Sequence, residues 1–222
     1  MDRMFSYIGI LVVGALIGVA SVYAFGGGRT AASPGISVTV AHEYADTDAY
    51  SVDASYPQFG IPVADTVIKN TVESAVSDFE KLPGNPHGSS TPQNQFIGLF
   101  DSAYVGPDIV STQLVFSEYT GGAHPNAAIV GLNVDRATGK ELSLDDVLSL
   151  IGMSLQQVAS SSADQLRARL GQDYLFPEGA QPSPENYSTF VVASSTVSFI
   201  FQEYQVAPYV DGTQAISFPR KQ

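Results

Sequence analysis

Residues 108–119 read DIVSTQLVFSEY, and this stretch decides the class of fold. Every second residue from Val110 to Phe116 is apolar or β-branched. The residues between them, from Ser111 to Ser117, are mostly polar. Because successive side chains of a strand point to opposite faces, this pattern predicts a β-strand with one buried face. Such strands are typical of antiparallel sheets that pack one face on a core.

Strand patterns of the same kind occur on both sides of this stretch. They are rich in β-branched and aromatic residues and are bounded by turn residues. They are the runs at 36–41, 49–57, 96–100 and 127–135, two runs joined near Ser194 and Ser195, and a last run at 214–219.

Three helices are predicted between the strands. Asp65 is expected to cap the first helix, whose apolar residues recur at steps of three and four up to Phe79. Ser143 and Ser154 each precede an acid or an amide by three residues, which is the capping-box pattern, and Gly171 is expected to end the third helix. The sequence therefore predicts an α+β fold in which an antiparallel β-sheet packs against α-helices.

The N-terminal segment differs in composition from the rest. From Met4 to Phe25 it has no charged residue, and roughly 20 apolar residues suffice to cross a membrane. Residues 1–25 are therefore predicted to be a single-pass membrane anchor, with a signal segment cleaved after Ala24 as the alternative. Both interpretations place the remainder outside the cytoplasm.

The exported part divides into three regions. Residues 26–35 are rich in glycine, alanine and serine and predict a flexible linker. Residues 36–95 are predicted to form a small N-terminal α+β module, and residues 96–222 a C-terminal α+β domain. We expect the two to pack as one unit.

Composition limits the partners and the chemistry. Ten Lys and Arg residues against 22 Asp and Glu residues give a formal net charge of −12. So acidic a chain is expected to repel nucleic acid and to attract cationic proteins. The absence of cysteine excludes disulfides, thiolate metal sites and a cysteine nucleophile.

No catalytic or metal-binding motif is complete. The three histidines, His42, His87 and His124, show no zinc-ligand spacing, and neither a nucleophile elbow nor a phosphate-binding loop is present. We therefore predict no catalytic residues, no metal and no cofactor. A hydrolase that uses His124 with nearby carboxylates stays open as an alternative.

Residues 117–126, SEYTGGAHPN, follow directly on the strand that opened this section. Paired glycines permit a positive φ, and Pro125 then redirects the chain into the next strand. The segment is predicted to be a structural or recognition loop that connects two strands.

Several motifs resemble a known family in the same order. They are EYTGGAHPN (118–126), NVDRATGKELSLDDVL (133–148) and FIFQEYQVAPYVDG (199–212). The resemblance is to the extracytoplasmic domain family of unknown function found in the RsiV anti-sigma-V factor and ahead of the catalytic domain in PdaC-type polysaccharide deacetylases. The stretch at 56–76 is similar to the small module that accompanies it.

The resemblance implies an extracytoplasmic domain that works by binding, and in the anti-sigma relative this region recognises lysozyme. It implies a membrane-anchored binding or sensor-like domain of the bacterial cell envelope, with a cationic muramidase or a cell-wall glycan as partner. Alternatives are a polysaccharide- or peptidoglycan-modifying hydrolase and a structural accessory domain. Because only Met1 to about Met4 precede the anchor and no catalytic domain follows Gln222, neither sigma binding nor deacetylation is expected.

The positions that match the family motifs form the candidate site. Tyrosines beside a proline can supply rigid contacts to a cationic protein, although they can equally pack under a sheet edge. The candidate ligand-binding residues are Tyr119, His124, Asn126, Tyr204, Pro208 and Tyr209. The candidate structural residues are Thr120, Gly121, Gly122, Ala123 and Gly212.

Overall fold

The computed structural model describes residues 38–85, 92–171 and 176–221, which form two sheets and three α-helices. The five-stranded sheet has the spatial order β1 (Thr39–Asp46), β2 (Tyr50–Gln58), β3 (Asn94–Val105), β4 (Ile109–Tyr119) and β5 (Asn126–Asp135). The three-stranded sheet has the order β6 (Phe190–Val192), β7 (Thr196–Phe201) and β8 (Gln214–Pro219). The helices are α1 (Pro62–Glu80), α2 (Leu144–Ile151) and α3 (Leu155–Leu170). The predicted α+β class is confirmed.

The prediction of a purely antiparallel sheet was wrong. β2 and β3 run parallel, with Tyr50 opposite Asn94 and Ala54 opposite Gly98, so the five-stranded sheet is mixed. The cause is α1, which lies between these strands in the chain. A helical crossover returns the chain to the starting end of the sheet, so the strand that follows runs parallel to the strand before.

Helix α1 begins earlier than predicted. Pro62 occupies the first helical turn and Ile61 is the N-cap residue, without a side-chain capping bond. Proline suits this position because its missing N–H would have no helical partner there. The prediction that Asp65 caps the helix was wrong, since its Oδ1 accepts the backbone N–H of Phe59 at 2.7 Å. One stripe of α1 is buried: Ala64, Ile68, Val72, Val76 and Phe79.

Helices α2 and α3 begin as the sequence predicts. The Ser143 hydroxyl accepts the Asp146 N–H, and Asp146 accepts the Ser143 N–H in return. Ser154 and Gln157 form the same reciprocal pair before α3, which ends at Gly171. Both capping boxes are confirmed, because a capping box is made within four consecutive residues and needs no tertiary contact.

The buried stripe of α1 forms one hydrophobic core with the five-stranded sheet. A second core lies between α2, α3 and the three-stranded sheet. Tyr187 is fully buried, packs edge-on against Phe199 and Phe201, and donates its hydroxyl to the Ala180 carbonyl at 2.9 Å. The helices contribute buried apolar side chains to the same cluster, Val147, Ile151, Val158, Ala159 and Leu166. This core supports the strands that lead into the C-terminal motif.

A buried polar junction joins the two sheets, and we call it the polar seam. The side chains are Asn133 of β5 and Ser111 of β4, both about 2% exposed. Asn133 Oδ1 accepts the Ser111 hydroxyl at 2.7 Å and the Val192 N–H at 2.9 Å, while its Nδ2 donates to the Phe190 carbonyl at 2.7 Å. The seam thereby fixes β6 against β4 and β5.

The predicted anchor at residues 1–25 lies outside the described residues, as do the linker at 26–35 and His87. None of the helices in the described parts of the chain is long and apolar enough to cross a membrane. The division at residues 95 and 96 stays a prediction.

We predict that Asn133→Ala lowers the free energy of unfolding by about 3 kcal/mol, because it removes the side-chain donor to the buried Phe190 carbonyl and the acceptor of the Ser111 hydroxyl, and leaves the Val192 N–H with the Ser111 hydroxyl alone. Urea denaturation of the variant and of Asn126→Ala measures this. Asn126 is an exposed asparagine of the same strand, so its removal is expected to cost less than about 0.5 kcal/mol. Equal losses in the two variants would contradict the importance of the seam.

We predict that Ser143→Ala lowers stability by about 1 kcal/mol near neutral pH, through loss of the cap. The Ser143 hydroxyl and then its backbone N–H hold the pKa of Asp146 below its ordinary value. The ionic part of this stabilisation is present above the ordinary carboxyl pKa and is lost as the pH falls through the lower folded-state pKa. The difference between wild type and variant should therefore shrink in acid.

Urea titrations from about pH 7 to about pH 3 check this expectation. Ser149→Ala, at an exposed position of the same helix, serves as the control and should show no pH-dependent difference. A Ser143→Ala difference that stays constant across the range would contradict the assignment.

Candidate functional site: an exposed stack of aromatic rings

His124 lies in the loop of residues 120–125, which joins β4 to β5. Its imidazole stacks on the ring of Tyr209, with centroids 4.5 Å apart and planes 25° apart. Tyr209 stacks in turn on Tyr204, at 5.5 Å and 28°. We call these three residues the ring stack. His124 belongs to the motif EYTGGAHPN, and both tyrosines belong to the motif FIFQEYQVAPYVDG.

The ring stack lies on the surface. Tyr204 is 57% exposed, Tyr209 is 39% exposed, and His124 is also exposed. The neighbouring Val210 is 87% exposed. The tyrosines thus face solvent rather than packing beneath the sheet edge. Large exposed apolar and aromatic groups that adjoin each other mark interaction surfaces.

The backbone at Tyr204 is strained. Its φ is +63°, and it is the one non-glycine residue with a positive φ in the described parts of the chain. A residue with a large side chain adopts this conformation at a cost of about 1–3 kcal/mol, and such residues cluster at functional sites. The turn points the tyrosine ring outwards, next to Tyr209.

Two glutamines hold the strained turn in place. The Gln202 side chain pairs with both backbone groups of Ile129 in β5, accepting its N–H at 2.9 Å and donating to its carbonyl at 2.8 Å. Gln205 accepts the Gln202 N–H at 2.9 Å and donates to the carbonyls of Gly179 and Asn186, each at 3.0 Å. These bonds attach the turn to both the sheet and the preceding loop.

The segment after Tyr204 is a short 3-10 turn at Tyr209–Asp211. Pro208 stands before it, and its carbonyl accepts the Asp211 N–H at 3.0 Å. Gly212 follows with a φ of 62°, which only glycine adopts readily. The Oδ2 atom of Asp211 is buried and has no hydrogen-bond partner among the described residues.

His124 has the geometry of a contact residue. Its Nδ1 lies 2.8 Å from the Pro125 carbonyl. Because a carbonyl oxygen only accepts, Nδ1 carries a proton and donates this bond. The bond orients the imidazole parallel to Tyr209.

The other predicted site residues of the first motif lie in the β4–β5 loop or at the strand ends that flank it. Tyr119 ends β4 opposite Gln95 of β3, and Asn126 begins β5 opposite Glu118. The Thr120 carbonyl accepts a bond from Asn85 at 3.4 Å. The loop residues between them, Gly121, Gly122 and Ala123, are exposed, and Gly121 has a φ of 91°. The recorded ring contacts unite His124 with Tyr204 and Tyr209, and do not include Tyr119.

His124 does not line the open groove that the described residues form along α1. A large open groove, of about 700 Å³, lies between α1 and the sheet and is lined in part by Thr71, Phe116 and Glu141, but not by His124. No group of three His, Asp or Glu side chains in the described ranges could hold a metal ion. His124 instead contacts a carbonyl and a tyrosine ring.

Sequence reasoning missed three residues of the site. Val210 was passed over because an apolar residue between strands is ordinarily assigned to the core. Gln202 and Gln205 were passed over because polar residues in a connection are ordinarily solvated. Their repetition on both sides of Glu203 and Tyr204 in QEYQ is the signal that points to them.

Comparison with known proteins shows what the chain is similar to. Residues 150–221 match the family described as "Protein of unknown function (DUF3298)". The chain is 25% identical over 189 residues to the peptidoglycan-N-acetylmuramic acid deacetylase PdaC of Bacillus subtilis (strain 168). The match covers 83% of this chain and spans 40% of the length of the deacetylase.

Two solved structures share the fold. A DUF3298 family protein from Pseudomonas aeruginosa PAO1 superposes with a TM-score of 0.58 at 16% identity, covering 83% of this chain and 90% of that chain. A member of the same family from Bacteroides fragilis NCTC 9343 superposes with a TM-score of 0.56 at 15% identity, with the same coverage. Residues 150–221, which match the DUF3298 family model, carry Tyr204, Tyr209 and the three-stranded sheet, in a chain that is similar to PdaC.

Proposed function

We propose that the chain is an extracytoplasmic binding domain of the bacterial cell envelope, and that the ring stack is its ligand surface. One observation carries the proposal: two tyrosines and a histidine are stacked and exposed on a backbone that is strained at Tyr204. Exposed aromatic groups and backbone strain both cost free energy, and both are typical of surfaces that bind a ligand.

A cationic protein is the partner that the chemistry favours. The net charge of −12 steers positively charged molecules towards the chain. The exposed faces of Tyr204 and Tyr209 can take a guanidinium or ammonium group, in a cation–π contact worth about 0.5–2 kcal/mol. Glu203 and Asp211 adjoin these tyrosines in the chain. A lysozyme-like muramidase has this chemistry.

A cell-wall glycan is the second candidate. Exposed tyrosine rings can also stack on the apolar face of a sugar, and the relative PdaC is named for its action on peptidoglycan. The dependence of affinity on salt concentration distinguishes the two candidates. Binding to a cationic protein weakens as ionic strength rises, whereas stacking on a sugar changes little.

The proposed location follows from the apolar run of residues 1–25. As an uncleaved anchor, it would hold the binding domain at the outer side of the cell membrane. If the run is cleaved as a signal segment, the domain would be secreted instead.

We predict that Tyr209→Ala weakens binding of lysozyme to the full chain by at least about tenfold, because Tyr209 is the central ring of the stack. Tyr204→Ala should weaken it similarly. Leu99→Ala is the control, since Leu99 is a 54% exposed apolar residue of the central strand β3. Isothermal titration calorimetry at low and moderate salt, with circular dichroism to verify folding, measures all three.

The same variants are then titrated with soluble peptidoglycan fragments. Binding of either ligand that depends on Tyr209 and not on Leu99 supports the ring stack as the ligand surface. If wild type binds neither ligand, or if Leu99→Ala loses as much affinity as Tyr209→Ala, the proposal is wrong. Release of soluble products from peptidoglycan by the full chain alone would favour the hydrolase alternative.

A further inference from the structure

The two edges of the five-stranded sheet differ. At the β5 edge, Gln202 occupies the backbone groups of Ile129, and the polar seam fixes β6 alongside. At the other edge, the described residues pair with β1 only on the side of β2. Every second backbone N–H and C=O of an antiparallel edge strand points away from its neighbour. The outer side of β1 therefore presents a row of groups that can pair with another strand.

Strand β1 lacks three of the features that protect sheet edges, which are proline, lysine and a bulge. It is eight residues long, TVAHEYAD, and contains no proline and no lysine. Its register with β2 runs without a bulge from Thr39 opposite Gln58 to Asp46 opposite Ser51. Natural proteins block exposed edges with prolines, lysines or bulges, because an unprotected edge recruits strands. The edge strand β8 of the three-stranded sheet differs, because the Arg169 side chain donates a hydrogen bond to its Ala215 carbonyl at 3.2 Å.

The two faces of β1 differ in chemistry. Val40 is 37% exposed and Tyr44 is 66% exposed, and both lie on the sheet face opposite α1. On the other face, beside α1, Glu43 is half-buried and accepts the Tyr56 hydroxyl at 3.4 Å. Burial, and then the nearby Glu73, raise the pKa of Glu43 above its ordinary value, while Lys69 of α1 partly opposes them. A further positive charge beside Glu43 would act in the same direction as Lys69.

The hairpin that carries this edge is acidic. The hairpin formed by residues 39–58 contains Glu43, Asp46, Asp48 and Asp53 and neither lysine nor arginine. A basic segment would be attracted to it. A second copy of the chain would bring the same acidic hairpin and a further net charge of −12, so self-pairing is opposed.

We propose that the outer edge of β1 binds an extended basic peptide segment of a partner protein as an additional strand. Backbone hydrogen bonds provide the attachment, as in other cases of strand addition. Apolar residues of the peptide lie opposite Val40 and Tyr44, and a lysine or arginine lies beside Glu43. The alternation of apolar and basic residues in the peptide matches the two faces of β1.

This surface is separate from the ring stack. Strands β2, β3 and β4 lie between β1 and β5, and adjacent strands are about 4.8 Å apart, so the two edges are about 19 Å apart. The inference therefore does not rest on the proposed function of the ring stack.

The test uses the full chain in mild detergent and a synthetic peptide that alternates valine and lysine over about nine residues, enough to span a strand of this length. We expect the alternate amides of β1 to exchange with solvent rapidly in the free chain and to become protected when the peptide is added. An otherwise identical peptide with glutamate in place of lysine should not protect them.

Two charge reversals sharpen the test. Glu43→Lys should weaken binding of the valine–lysine peptide by about tenfold, because it replaces attraction by repulsion at a cross-strand position. Asp145→Lys makes the same change at an exposed position of α2 and should change the affinity less than threefold, about 0.6 kcal/mol.

Three results would overturn the proposal. The first is equal protection by the two peptides, or equal weakening by Glu43→Lys and Asp145→Lys. The second is protection of the alternate β1 amides in the free monomeric chain, which would mean that another segment of the chain already covers the edge. The third is protection that depends on protein concentration and accompanies a dimer in sedimentation, which would mean that a second copy is the occupant.

Discussion

The polar seam between the two sheets is the contact on which the arrangement of this protein depends. Asn133 lies in β5, yet its side chain binds backbone groups of β6, a strand more than fifty positions later in the chain. Such buried groups must be paired, because an unpaired one costs about 1–3 kcal/mol. The seam consequently permits one placement of the three-stranded sheet. Gly131 contributes to it, since a Cβ at that position would collide with the Phe190 carbonyl.

The ring stack follows from that placement. Once β6 and β7 are fixed against β5, the chain leaving β7 passes the edge of β5, where Gln202 binds the backbone of Ile129. The next residues turn sharply through Tyr204 and return as Tyr209 beside the β4–β5 loop. His124 and the two tyrosines therefore meet because two sheets meet. Packing in both cores stabilises the fold enough to maintain the strain at Tyr204.

Local features of this fold could be predicted from the sequence. Both capping boxes, the strand pattern of β4 and the turn at Gly121 depend on neighbouring residues, and the structure shows each of them. The parallel pairing of β2 with β3 was not predicted, because strand direction depends on how α1 crosses the sheet. The family motifs pointed to His124, Tyr204 and Tyr209 separately. Their stacking is a long-range contact that no local pattern encodes.

The two surfaces that we propose lie at opposite edges of the five-stranded sheet. One edge is closed by Gln202 and supports the ring stack, while β1 at the other edge has no described pairing on its outer side. The central claim is that the seam holds the ring stack in place before any ligand binds. Nuclear Overhauser effects between the His124 and Tyr209 ring protons, measured in the ligand-free chain, test it most directly. The account predicts strong effects in wild type and their loss in a folded Asn133→Ala variant, whereas their absence in wild type would contradict it.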